Sequence, residues 1–87
     1  MELPGAELIE QGIADLAAGR ETVEALLVSI GARRISALGR ELPPTLPDAE
    51  LRLYELLARE DQDSAHGRYN ALIRRLVSYE RAAECAS

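Results

Sequence analysis

"DAELRLYELLARE", residues 48–60, contains apolar residues around most of a helical circumference. The apolar positions are Leu51, Leu53, Tyr54, Leu56, Leu57 and Ala58, and the polar wedge is Arg52, Glu55 and Arg59. Pro47 and Asp48 come at its start, where proline and aspartate are typical of a helix N-terminus. A helix that is apolar nearly all round is usually a buried one, so this segment predicts the central helix of an all-α protein.

Four other stretches have apolar residues at helical spacing, and no stretch shows the alternation typical of a β-strand. They cover about residues 6–18, 22–30, 32–39 and 64–84. Gly19 is expected to end the first of them, and Thr22 is a good N-cap for the second. The sequence therefore predicts a compact bundle of four to five short helices.

A helix break is predicted at Gly31. A helix that continued through this residue would place Arg34 in the middle of the apolar stripe formed by residues 23–30. A separate short helix over "ARRISALG" avoids that conflict. Replacement of Gly31 by alanine is expected to destabilise the protein only if the φ angle at this residue is positive.

The segment "RELPPTLP", residues 40–47, separates two helical halves. It holds three prolines in five residues, which forbid helix and favour an extended run. The chain has 87 residues, enough for one domain at most. We therefore predict a single helical domain over residues 1–87, with a proline-rich linker at about 40–47.

Composition limits the function classes. The formal net charge is −5, and all ten basic residues are arginine. The single cysteine, Cys85, cannot form an internal disulfide or a cysteine-based metal site. The acidic N-terminus differs from a signal sequence, and no apolar run approaches the length of a membrane span. We predict a cytoplasmic protein that does not enter a membrane, with no catalytic, cofactor or metal site.

The segment "AHGRYNALIRRL", residues 65–76, is the strongest candidate for an interaction surface. Helical spacing places His66, Asn70, Arg74 and Arg81 on one ridge, and Arg68 and Arg75 on a second, flanking ridge. No acidic residue lies between Ser64 and Tyr79. Guanidinium groups bind phosphate and carboxylate equally well, so this surface fits either a nucleic acid or a protein.

The acidic start of the chain favours the protein interpretation. It holds Glu2, Glu7, Glu10 and Asp15 before the first basic residue, Arg20. An acid-rich helix and a base-rich helix in one small protein indicate charge-guided docking, within the chain or between chains. We therefore predict a small non-enzymatic accessory or regulatory protein that docks helices onto itself or onto another protein.

The alternative is an RNA-associated role through the arginine ridges. Arg59 and His66, seven positions apart at the start of a helix, are similar to the active-site motif of HEPN-type ribonucleases. That resemblance implies ribonucleolytic activity at these two residues. Convergence of Arg68, Arg74, Arg75 and Arg81 with Arg33 and Arg34 would favour nucleic acid, whereas coverage of these arginines by the acidic first helix would disfavour it.

Asp61, Asp63 and His66 offer metal-ligating atoms just before the last helix. Their spacing does not fit a calcium loop, because Ala65 and Leu72 stand where ligands would be needed. A cluster of this kind at a helix start is more typical of capping. Asp63 or Ser64 is expected to accept hydrogen bonds from the next turn.

Overall fold

Five helices form the part of the chain that the structure, a computed structural model, describes, residues 3–86. They are α1 (Ala6–Ala17), α2 (Val23–Ile30), α3 (Ala32–Ala37), α4 (Ala49–Glu60) and α5 (Ala65–Ala86). No strand occurs among these residues. The predicted all-α class is therefore confirmed. Glu2, which the sequence places among the acids of the first stretch, lies outside the described residues.

Local chemistry explains where the first three helices begin and end. Gly19 has a φ of 75°, the left-handed conformation that follows a helix C-terminus. The Thr22 hydroxyl accepts a hydrogen bond of 3.1 Å from the amide of Ala25, so the predicted N-cap of α2 is confirmed. The predicted break is confirmed as well, since α2 ends before Gly31 and α3 begins after it.

The helix at the centre of the bundle is α2, and the prediction that α4 takes this place is wrong. Residues 25–28 are fully buried, and α2 packs against all four other helices. Only one face of α4, which carries the buried Leu53 and Leu57, is covered. Leu51, on the same helix, is 63% exposed. The apolar residues of α4 extend around more of the helix surface than its two main neighbours, α2 and α5, cover.

A glycine allows α1 and α2 to pack closely against each other. A Cβ atom at Gly12 would lie 2.3 Å from the carbonyl oxygen of Glu24 and 2.5 Å from Cγ2 of Val28. Any larger residue would push the helices apart. Asp15, one of the acids of the first stretch, is buried where α1 meets the start of α2.

The proline-rich linker is anchored at both ends. At its start, Arg40 donates two hydrogen bonds, of 2.7 and 3.0 Å, to the carboxylate of Glu10 on α1. Near its end, the amide of Leu46 donates to the hydroxyl of Ser29 on α2 at 3.0 Å. Residues 40–46 form no helix, as the prolines predict, and the linker lies along the bundle.

The last helix, α5, carries the predicted apolar stripe and one unexpected residue. Ala65, Leu76 and Tyr79 are buried, and Tyr69, Leu72, Ile73 and Ala83 pack against the core. Glu80 is also buried, at 2% exposure. In the described part of the chain, none of the helices combines the length and the apolar character needed to cross a membrane.

Candidate interaction surface

The two arginine ridges of α5 have different surroundings. Arg68 forms an ion pair of 2.9 Å with Glu60 at the end of α4. Arg75 pairs with Glu7 of the acidic first helix, although both side chains remain at least half exposed. Both arginines line a groove of about 630 Å³ where α1, α2, α4 and α5 meet. The charge of the second ridge is therefore largely neutralised within the chain.

The first ridge retains its charge. Arg74 and Arg81 are exposed, and neither forms an ion pair with any residue in 3–86. His66 and Asn70 pair with each other, with 3.2 Å between the His66 Nε2 and Asn70 Nδ2 atoms. The cationic part of this ridge is thus Arg74 and Arg81, which lie two helical turns apart.

A groove between α3 and α5 runs beside these two arginines. It has a volume of about 340 Å³ and is lined by Ile30, Gly31, Arg33, Arg34, Ile73, Leu76, Val77 and Glu80. Arg74 directly follows the lining residue Ile73, and Arg81 directly follows the lining residue Glu80. Arg33 is exposed and, like Arg74 and Arg81, has no ion-pair partner in the described segment. We call this the α3–α5 groove.

Glu80 gives the α3–α5 groove a buried carboxylate. Its Oε1 atom lies 3.5 Å from a guanidinium nitrogen of Arg34, while its Oε2 atom has no hydrogen-bond partner among residues 3–86. Arg34 also donates to Glu84 at 2.7 Å. Burial raises the pKa of Glu80 above its ordinary value, Arg34 partly offsets this, and the nearby Glu84 raises the pKa further.

A second groove adjoins the α3–α5 groove and has the opposite charge. Its volume is about 480 Å³, and it is lined by Ser29, Ile30, Leu46, Asp48, Ala49, Glu50 and Leu51. Asp48 and Glu50 form no ion pair in the described part of the chain. Because Ile30 lines both grooves, they meet at this residue. We call the acidic one the α4 edge.

The two residues of the HEPN-like motif have different neighbours. Arg59 lines a shallow groove with Glu21, Arg52, Glu55 and Ala58. His66 lies in the first turn of α5, where it pairs with Asn70. The structure thus places the two side chains in separate environments.

The acids before α5 organise a turn. The carboxylate of Asp61 accepts a hydrogen bond of 3.1 Å from the amide of Asp63, and the Ser64 hydroxyl donates to the Asp61 carbonyl at 3.4 Å. The side chain that accepts a backbone hydrogen bond at this turn is therefore that of Asp61, whereas Asp63 or Ser64 was expected to accept one. Among residues 3–86, no group of three histidine, cysteine, aspartate or glutamate side chains is placed to hold a metal ion.

Comparison with known proteins adds no assignment. No family model matches the chain, and no curated protein and no solved structure matches it.

Sequence patterns did not single out Glu80, Ile73 or Val77 as parts of a surface. Glu80 lies four residues after Leu76 and seven after Ile73, which is the spacing of one helix face. An acid at that spacing from two core residues is the signal that could have indicated a buried carboxylate.

Proposed function

We propose that this protein is a non-enzymatic interaction module whose α3–α5 groove binds an acidic, amphipathic segment of a protein. One observation carries the proposal: an arginine without an ion-pair partner among residues 3–86 lines a groove with apolar walls, and two more such arginines flank it. Within the described residues, six of the ten arginines pair with carboxylates of the chain itself. Of the other four, Arg33 lines this groove, and Arg74 and Arg81 each directly follow a lining residue of α5.

The groove offers two kinds of contact to such a segment. Ile73 and Val77 are half-buried, so an apolar side chain placed against them would complete their burial. Burial of apolar area contributes about 25 cal/mol per Å². The guanidinium groups that have no ion-pair partner among residues 3–86 would donate bidentate hydrogen bonds to carboxylates and would orient the segment as it approaches. An acidic helix with an apolar stripe satisfies both requirements.

The convergence that would favour nucleic acid is present in part, since Arg74 and Arg81 flank the groove that Arg33 and Arg34 line. RNA is nevertheless the weaker candidate for this surface, because Arg68 and Arg75 are paired with Glu60 and Glu7, and Arg34 is paired with Glu80 and Glu84. At this surface, three guanidinium groups without an ion-pair partner among residues 3–86 then remain to hold a polyanion against a net charge of −5. Long-range repulsion by the rest of the surface opposes the binding of a polyanion.

A cytoplasmic location, where the exposed Cys85 stays reduced, belongs to the same proposal.

Site-specific photocrosslinking tests the proposal. A photoreactive amino acid replaces Val77 in the groove, and the crosslinked species are identified in cells that make the protein. We expect crosslinks to an acidic helical segment of a protein, and we expect Arg74→Glu with Arg81→Glu to abolish them. Arg59→Glu is the matched control, because Arg59 also has no ion-pair partner among residues 3–86 but lines a different groove.

Two outcomes would contradict the proposal. One is a set of crosslinks that the Arg74 and Arg81 reversals leave unchanged. The other is crosslinking to RNA, supported by binding of generic RNA at micromolar or tighter affinity in a low-salt filter assay, with loss of that binding in the double variant. The second result would favour the RNA-associated role.

A further inference from the structure

We propose that the segment bound in the α3–α5 groove is the α4 edge of a second copy of this chain, so that the protein forms a two-fold dimer. This inference rests on the proposed function and names its partner. The observation that carries it is the placement of two grooves of opposite charge on either side of Ile30.

The charges of the two grooves are complementary. The α4 edge presents Asp48 and Glu50, and the α3–α5 groove presents Arg33, with Arg74 beside it. None of these four groups forms an ion pair within the described residues. Opposite charges that are unpaired on one surface find partners when that surface meets its own copy in the opposite orientation.

The apolar shapes are complementary too. Leu51 is 63% exposed, although it lies on a helix whose opposite face is in the core. It projects from the α4 edge beside Glu50, and the α3–α5 groove offers Ile73 and Val77 as apolar walls. Insertion of Leu51 of one copy between these walls of the other would bury the most exposed large apolar side chain of the described segment.

Two-fold symmetry makes the interface between the two copies a closed one. In an isologous interface each contact between two patches occurs twice, once in each direction. A two-fold axis near Ile30 would place the α4 edge of each copy against the α3–α5 groove of the other. The resulting dimer contains two Leu51 insertions and two pairs of Glu50 with Arg33, and it leaves neither the α4 edge nor the α3–α5 groove free to recruit a third copy.

A charge-swap series on the full chain tests this arrangement. Sedimentation equilibrium measures the dimer dissociation constant of the wild type, Glu50→Arg, Arg33→Glu and the double variant. We expect each single reversal to raise the constant by about tenfold or more, which is the scale of one close charge pair. The double variant should return to within about threefold of the wild type, since it restores opposite charges at each contact.

Two further variants control the series. Glu55→Arg reverses a charge on the same helix but lines another groove, so it should leave dimerisation unchanged. Leu51→Ser should raise the dissociation constant without loss of helical content, because Leu51 contributes little to the core of the monomer. Circular dichroism of every variant checks the fold.

The outcomes separate this inference from the proposed function. A wild type that stays monomeric at several hundred micromolar, or a double variant no better than the singles, overturns the dimer. In that case, crosslinks from position 77 to another protein, lost with Arg74→Glu and Arg81→Glu, would still support the groove as a docking site. Crosslinks that those reversals do not affect would overturn the proposed function itself.

Discussion

The unpaired Oε2 atom of Glu80 lies against Gly31, at a distance of 2.8 Å from the place where a Cβ atom of residue 31 would be. A methyl group at that position would also lie 2.8 Å from a Cδ atom of Leu76. The φ angle of Gly31 is −91°, so the backbone itself tolerates any residue. The sequence-based expectation, that alanine would destabilise the protein here only at a positive φ, considered the backbone alone, whereas a Cβ atom at this position would also meet the ends of the Glu80 and Leu76 side chains.

Gly31→Ala should lower the free energy of unfolding by about 1–3 kcal/mol, the usual cost of overpacking a buried contact. Gly67→Ala is the matched control, since nothing lies within 4 Å of a Cβ atom added there. Gly67 lies inside α5, so alanine should stabilise the protein by about 0.5–1 kcal/mol through its higher helix propensity. Urea denaturation measures both. Equal losses in the two variants would show that the contact with Glu80 does not matter.

Glu80 should make stability fall as the pH rises. Its pKa in the folded protein is raised, chiefly by burial, above the ordinary value of 4.5. Its contribution to stability is therefore fully present below about pH 4.5 and is lost as the pH rises through the raised pKa. Glu80→Gln should remove this loss, so that the variant gains stability relative to the wild type toward neutral pH. Glu41→Gln, an exposed linker substitution, is the control.

Denaturation curves at half-unit steps from pH 4 to 8 measure this effect. Arg34 and Glu84 are the charged groups that act on Glu80, and Arg33 lines the same groove. A stability difference between Glu80→Gln and the wild type that does not change with pH would contradict the prediction.

Asp15 should have the opposite pH dependence. Hydrogen bonds from Thr22, at 2.6 Å, and from Arg20, at 2.8 Å, lower the pKa of Asp15 below the ordinary 3.8, and a bond from Gln11 adds to this against the effect of burial. Its contribution is present above pH 3.8 and is lost as the pH falls through the lowered pKa. Asp15→Asn should destabilise the protein at pH 7.

The difference in stability between Asp15→Asn and the wild type should shrink toward zero in acid. Thermal unfolding at pH 7 and at pH values below 3.8 gives the comparison. Asp63→Asn, at an exposed residue, provides the control. A loss in Asp15→Asn that is as large in strong acid as at neutral pH would mean that the ionised carboxylate is not what stabilises the junction of α1 and α2.

Leu57→Ala and Arg52→Ala compare the two faces of α4. Leu57 is fully buried, so its truncation should cost about 2–5 kcal/mol through lost burial and a residual cavity. Arg52 is partly exposed, pairs with Glu21 at 3.5 Å and donates to the carbonyl of Pro47. Its replacement should cost less than about 1 kcal/mol, as exposed ion pairs usually do. Equal costs in chemical denaturation would mean that the faces of this helix are reversed.

Local signals were sufficient to predict the helices but not which one is central. Thr22 and Gly19 act within one turn of their own positions, and the break at Gly31 followed from the apolar stripe of residues 23–30, so the sequence alone located the ends of α1 and α2. The central position of α2 depends on how many neighbours surround it, which is a tertiary property. A short helix with a broad buried surface and a longer one with exposed leucines look alike in an apolar pattern.

The candidate surface was predictable in part, because helical spacing is also a local signal. Helical spacing grouped Arg74 with Arg81 and Arg68 with Arg75, and α5 has these groupings. The sequence could not show that Arg75 meets Glu7, which lies 68 positions earlier. It also could not show that Arg33 of α3 borders a groove with α5, because that contact depends on how the two helices pack.

Because the linker is anchored at both ends, the fold does not require an unbroken chain between Arg40 and Leu46. Arg40 and Leu46 are each fastened to a helix of the first half, and Pro44 and Thr45 between them are exposed. The core that α2 shares with α4 and α5 holds the two halves together without the peptide bonds of that segment. Fragments 1–44 and 45–87, made separately, should therefore recognise each other and reassemble into the intact bundle, which makes this small protein a natural candidate for use as a split reporter.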